Sequence, residues 1–168
     1  MPVSNPMPVS NQISMAARAF RQNAAQLNKS FDGLTAEEWL ASPKPTSNPE
    51  LWILGHVVWA RSMALKFLGS PWERPWLAMF ARGAKLPEAS EYPSHEEILL
   101  GWQEVSANLT TALEGATDEV LSAPAPEKSP SFDGKVGGMV AFLAFHEAYH
   151  VGQAAYLRCW MGHTQISG

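Results

Sequence analysis

Residues 137–161 form one strongly periodic segment whose apolar stripe carries two histidines, His146 and His150, at its centre. Polar rings inside an apolar stripe must go wherever that stripe packs, so this segment constrains the fold most. At 100° per residue, with His146 at zero, His150 falls at about 40°, Met139 and Leu157 at about 20°, Leu143 at about 60° and Gln153 at about −20°. A second apolar segment, from Asn48 to about Leu68, contains His56. There Trp52, Ala60, Met63 and Phe67 lie within about 40° of the imidazole, while Arg61 and Ser62 fall on the far side. An unpaired buried polar group costs on the order of 2–7 kcal/mol. Any one of these histidines is explained as well by a backbone carbonyl or a polar neighbour. Three aimed at one interior, two of them one helical turn apart, have the donor set of a shared metal ion.

The remaining periodicity is helical throughout. Ile13, Ala17, Phe20, Ala24, Leu27 and Phe31 recur at spacings of 4, 3, 4, 3 and 4, which predicts a first helix over about residues 12–31. Thr35-Ala36-Glu37-Glu38 reads as a capping box opening one short turn, stopped by Pro43 and Pro45. Asn48-Pro49 supplies an N-cap with proline at the first helical position, and the second long helix ends at Gly69. Ser94-His95-Glu96-Glu97 reads as another capping box, continued by Ile98, Trp102, Val105, Leu109 and Ala112 as a third helix to Gly115. The fourth spans about residues 137–161, with Gly162 as its stop. With no period-2 alternation, the expected fold is all-α: a four-helix bundle with long connections at residues 70–93 and 118–135. Met1-Pro2-Val3-Ser4-Asn5 recurs as Met7-Pro8-Val9-Ser10-Asn11, so residues 1–11 read as a flexible lead-in and residues 12–168 as one domain.

Composition narrows the function classes. A net charge of −4 with no Lys/Arg cluster opposes sequence-independent nucleic-acid binding, which needs a basic field. No stretch reaches the roughly 18 apolar residues of a membrane span, and the start lacks a basic region followed by an apolar run. A single cysteine, Cys159, excludes an intramolecular disulfide framework and a Cys-rich zinc site, so the expected setting is soluble and cytoplasmic. Cys159 lies about 220° around the last helix from His146 and reads as a packing residue. His95 reads as the first helical residue after Ser94, and His163 lies beyond Gly162; neither is a candidate ligand.

Three neutral nitrogen ligands leave coordination positions open, which suits zinc, nickel, iron or manganese and activation of a water or a thiol. His146-Glu147-Ala148-Tyr149-His150 also satisfies the zincin pattern, with Glu147 as general base. The extended form fails, because Gly152 stands two residues after the second histidine and Tyr156 six after it, and no downstream glutamate remains as a third ligand. Glu147 is therefore expected to be a supporting residue, either orienting an imidazole in a neighbouring helix or serving a structural role, with general-base catalysis as its alternative. Trp52, Trp59, Tyr149 and Gln153 flank the histidines and are candidate substrate contacts, although ordinary packing explains them equally well.

The segments Asn48-Pro49-Glu50-Leu51-Trp52-Ile53-Leu54-Gly55-His56-Val57 and His146-Glu147-Ala148-Tyr149-His150-Val151-Gly152-Gln153 together resemble the DinB/YfiT superfamily of metal-binding four-helix bundles, over about residues 12–162. The resemblance implies an unusual crossover topology, a frequently dimeric assembly and a divalent metal held by His56, His146 and His150. It also implies a small-molecule reaction, since characterised members include S-transferases and isomerases that use mycothiol, bacillithiol or glutathione. A metal- or ligand-binding bundle without catalysis is the alternative. The second helix is apolar on more sides than one core requires, which fits a homodimer.

Overall fold

The computed structural model describes residues 9–166, in which four long helices and two short ones follow in the order α1 (Val9–Phe31), α2 (Ala36–Leu40), α3 (Glu50–Phe67), α4 (His95–Glu114), α5 (Asp118–Ser122) and α6 (Val136–Trp160). Residues 1–8 of the expected lead-in lie outside the described residues, and α1 begins at Val9, ahead of the predicted start. The long helices form the expected four-helix bundle, and no strand occurs among the described residues. The isolated antiparallel bridge Pro124–Lys135 pinches the base of the last connection.

Local chemistry explains most boundaries. The α2 capping box forms in both directions: the Glu38 amide donates to Thr35 Oγ1 at 3.3 Å, and the Thr35 amide donates to Glu38 Oε2 at 2.8 Å. At α4 only one half forms, with the Glu97 amide donating to Ser94 Oγ at 3.2 Å. Asn48 is not the cap of α3; that position is Pro49, with no side-chain hydrogen bond. Helix α5 interrupts a stretch expected to be irregular, starting at Thr117, whose hydroxyl accepts from the Val120 amide at 3.3 Å.

Helix α6 packs against both α1 and α3. Asn23 Nδ2 donates to the Ala144 carbonyl, and Arg158 donates to the Ser30 and Asp32 carbonyls, so α1 and α6 run in the same direction. Arg61 of α3 meets Glu147 and charge from Arg158 reaches Glu50, so α3 runs against α6. The stripe of α1 is turned slightly from expectation: Ala16, Asn23 and Ser30 are buried along with Phe20, Leu27 and Phe31, while Ala17 and Ala24 are half-buried.

Helix α3 is the centre of the core. Fourteen of its eighteen residues are buried, including Arg61 and Ser62. It packs on α2, α4, α6 and the 3-10 turn Leu77–Phe80 of the long connection. Its apolar sides are thus absorbed within the chain, and they no longer argue for a second copy. Exposed apolar side chains gather instead on α6, where Phe145, Tyr149, Tyr156 and Trp160 stand open to solvent, with Met15, Leu40, Leu100 and Phe132 exposed elsewhere. Cys159 is also exposed, not packed as expected, because it lies beside this uncovered face. No helix among the described residues is long and apolar enough to cross a membrane.

Candidate metal centre

Helices α3 and α6 bring His56, His146 and His150 together, with one ligand nitrogen from each lying within 4.8 Å of the others. The Nε2 atom of His146 is 3.3 Å from that of His56 and 3.2 Å from that of His150. His56 and His150 are buried, whereas His146 is half-exposed and marks the open side.

Hydrogen bonds outside this cluster set the tautomers. His56 Nδ1 lies 2.6 Å from the Phe80 carbonyl oxygen, which can only accept, so Nδ1 carries the proton and Nε2 presents a lone pair. Gln153 Nε2 donates to the Tyr149 hydroxyl at 3.2 Å, which turns Gln153 Oε1 toward His150 Nδ1 at 2.8 Å. His150 Nδ1 therefore donates as well. His146 Nδ1 is buried with no partner among the described residues. Two lone pairs thus converge on His146 Nε2, and a proton there satisfies only one of them.

A protonated imidazole does not supply the missing cation at neutral pH. Burial, then the charges of His56 and Arg82, hold His146 down to about 4. Burial, then the charges of His56 and His146, hold His150 down to about 3 against the opposing Gln153 hydrogen bond. Burial also lowers His56, opposed by its bond to Phe80. Two nitrogens each about 2.1 Å from one ion and roughly 100° apart are about 3.2 Å from each other, which matches the observed separations. The donor set fits a divalent cation with an open position.

The flanking residues divide into supports and borders. Trp52 stacks on His56 with centroids 4.6 Å apart and lies 6.2 Å from His150, and Trp59 stacks on His56 at 5.3 Å. Tyr149 meets His150 edge-on at 5.3 Å and is exposed. Gln153 holds the His150 tautomer, while Phe142 stacks on His146 at 6.1 Å. His163 bonds Glu38 at 2.9 Å, and His95 stacks on Trp39, both at the α2 end of the molecule.

Among the described residues no hydrogen bond joins Glu147 to an imidazole. Its fully buried carboxylate accepts from Arg61 Nε at 2.7 Å and from a terminal guanidinium nitrogen at 2.8 Å. The same guanidinium donates to the Phe20 carbonyl and to Ser106 Oγ, and lies over the Trp102 ring at 4.1 Å. With both oxygens committed to Arg61, Glu147 is placed as the structural alternative expects and not against an imidazole, and the zincin reading loses its water-activating carboxylate. Sequence reasoning missed this pair; the only signal was that Arg61 and Glu147 each interrupt a largely apolar helix.

The sequence matches the profile of the DinB superfamily over residues 19–154. Among curated proteins none matches. Among solved structures, YfiT from Bacillus subtilis, described as a probable metal-dependent hydrolase with an unusual four-helix bundle topology, superposes with a TM-score of 0.67 at 14% identity, covering 98% of this chain and 94% of that one. The matched span holds all three converging histidines, and the chain belongs to the DinB superfamily.

Proposed function

We propose that the protein is a divalent-metal-dependent enzyme that activates a thiol or a water for transfer or hydrolysis on a small molecule. One observation carries this reading: three Nε2 atoms converge while the Nδ1 protons of His56 and His150 are committed to oxygen acceptors. His56, His146 and His150 would hold the ion. When bound, such an ion lowers the pKa of a thiol or water at its open position enough to generate a nucleophile near neutral pH. The chain's own contribution is placement. Phe80 and Gln153 fix two imidazole tautomers, Trp52 and Trp59 exclude water from the α3 side, and Tyr149 borders the exposed side with its hydroxyl tied to Gln153.

Zinc or nickel is the expected ion, and a low-molecular-weight thiol the expected co-substrate, in keeping with the superfamily resemblance. YfiT's description as a hydrolase supports water as the alternative nucleophile. Glu147 acts through Arg61 as a structural residue, and a cytoplasmic setting accords with the single cysteine. A homodimer would cover the exposed α6 face bearing Phe145, Tyr149, Tyr156 and Trp160. Sedimentation tests this, since a Tyr156→Asp variant that sediments like the wild type, both as monomers at high concentration, removes the dimer.

Metal analysis tests the main reading. The wild type should carry close to one divalent ion per chain and the His146→Ala variant almost none. A screen of thiol-transfer and ester-hydrolysis reactions should show turnover that chelation removes. Stoichiometric metal without turnover in any arm would leave a binding module in place of an enzyme.

A further inference from the structure

Helix α1 leaves part of its apolar stripe uncovered. Ile13, Ala17 and Ala24 belong to the stripe that the sequence marks for the core, yet each is only half-buried, because α1 packs mainly on α6 and meets α4 sparsely. The two alanines are too small to fill the gap, and a cavity of about 530 Å³ opens between α1, α4 and α5. That volume lies within the usual range for small-molecule pockets. None of the three converging histidines lines it, so it is separate from the metal centre.

Its floor holds an uncommitted donor. Arg61, only 3% exposed, lines the cavity together with Phe20 and Ser106, the residues that its terminal nitrogens meet. A guanidinium carries five N–H groups. Nε and Nη2 each give one to Glu147, Nη2 gives its other to the Phe20 carbonyl, and Nη1 gives one to Ser106 Oγ. The second N–H of Nη1 has no acceptor among the described residues. Because the group is buried against this cavity, the acceptor has to come from whatever occupies it.

Charge is polarised along the cavity. Trp102 Nε1 donates to Asn28 Oδ1 at 2.8 Å while Arg61 joins Phe20 to Ser106, so α4 runs against α1. Arg18 and Arg21 lie on either side of Phe20 in the chain, line the cavity, and are exposed with no hydrogen bond or ion pair among the described residues. Glu114 and Asp118 stand at the opposite end, where Ile13, Leu113 and Leu121 form an apolar wall. We infer that this cavity is a second binding site, for a carboxylate with an unbranched apolar tail, such as a medium-chain fatty acid. Its head accepts the remaining N–H of Arg61 and pairs with Arg18 and Arg21, and its tail runs along Ala17, Leu109 and Leu113 toward Leu121. The site stands apart from the metal centre and needs no bound ion.

Calorimetric titration of the full chain with octanoate, octanamide and octylammonium tests this. Octanoate should bind at one site per chain, about tenfold or more tightly than octanamide, the scale of one charge-assisted hydrogen bond, and octylammonium should not displace it. Octanoate should also shift the methyl resonances of Leu109, Leu113 and Leu121. Ala17→Phe puts a ring into the cavity and should abolish binding. Arg18→Ala combined with Arg21→Ala changes only exposed positions, and should remove most of the preference for acid over amide. A wild type that takes up no octanoate, or that binds octanamide equally well, would overturn the inference. So would an unchanged preference in the double arginine variant, or octanoate-induced shifts confined to methyl groups outside the cavity.

Discussion

Arg61 and Glu147 make the sharpest test of how this bundle is held together. Their side chains are 3% and 0% exposed, and the guanidinium makes two contacts to the carboxylate together with bonds to Phe20 and Ser106. Arg61→Met keeps much of the apolar stem and deletes the charge. It strands a carboxylate with no water to solvate it, a change that costs about 3–5 kcal/mol in buried pairs. For a chain of this length, that corresponds to a fall in Tm of roughly 6–20 °C. Adding Glu147→Leu removes the stranded charge, and the double variant should recover to within about 1–2 kcal/mol of wild type, the remainder being the lost bonds to Phe20 and Ser106. Urea denaturation of the four proteins gives the coupling energy directly. An Arg61→Met variant within about 1 kcal/mol of wild type, or a double variant less stable than the single one, would refute the reasoning.

Further outcomes follow from neighbouring groups. Glu50 is fully buried, neither of its oxygens has a hydrogen-bond partner among the described residues, and burial pushes its pKa up to about 8 against the charge of Arg158. A carboxyl raised in the folded state favours folding below its ordinary pKa and loses that contribution as pH rises toward the folded value. Wild type should therefore lose stability relative to Glu50→Gln between about pH 4.5 and 8, by at most about 1.4 kcal/mol per pH unit; parallel pH profiles of the two proteins would refute this. A Cβ on Gly55 would overlap the Phe80 ring, so Gly55→Ala should cost about 1–3 kcal/mol and weaken metal binding by displacing the carbonyl that holds His56. Calorimetric titration with zinc checks the second half, and unchanged affinity would separate the ring from the carbonyl. Gln153→Leu removes the acceptor on His150 Nδ1 and should lower metal affinity about 10- to 100-fold, with Gln153→Glu retaining most of it.

The four long helices and the inward direction of His146 and His150 were legible because a 3.6-residue period fixes which side chains share a face. Direction failed where the pattern had no contrast. Residues 50–67 are apolar almost all round, so nothing in the sequence alone distinguished a solvent side for Arg61 from a buried one. Cys159 was misplaced for the complementary reason: α6 leaves an aromatic face uncovered, and apolar character there did not mean burial. Helix α5 was missed because prolines further along outweighed the Thr117 cap and the acidic first turn. The Phe80 carbonyl was not legible at all, since a backbone atom contributed by a long connection leaves no residue-type signal.

A helix buried on every side raises a separate question about α3, because burial alone does not choose its rotation about its own axis. Turning it by one residue exchanges one set of apolar side chains for another at little cost in buried area, yet it swings His56 by about 100° away from α6. Arg61 breaks that degeneracy. Its fork geometry accepts Glu147 in one azimuth and one axial register, and that setting also points His56 Nε2 at His146. The ion pair works as an index mark between two otherwise featureless rods, converting nonspecific burial into the sub-ångström agreement that a shared coordination sphere demands.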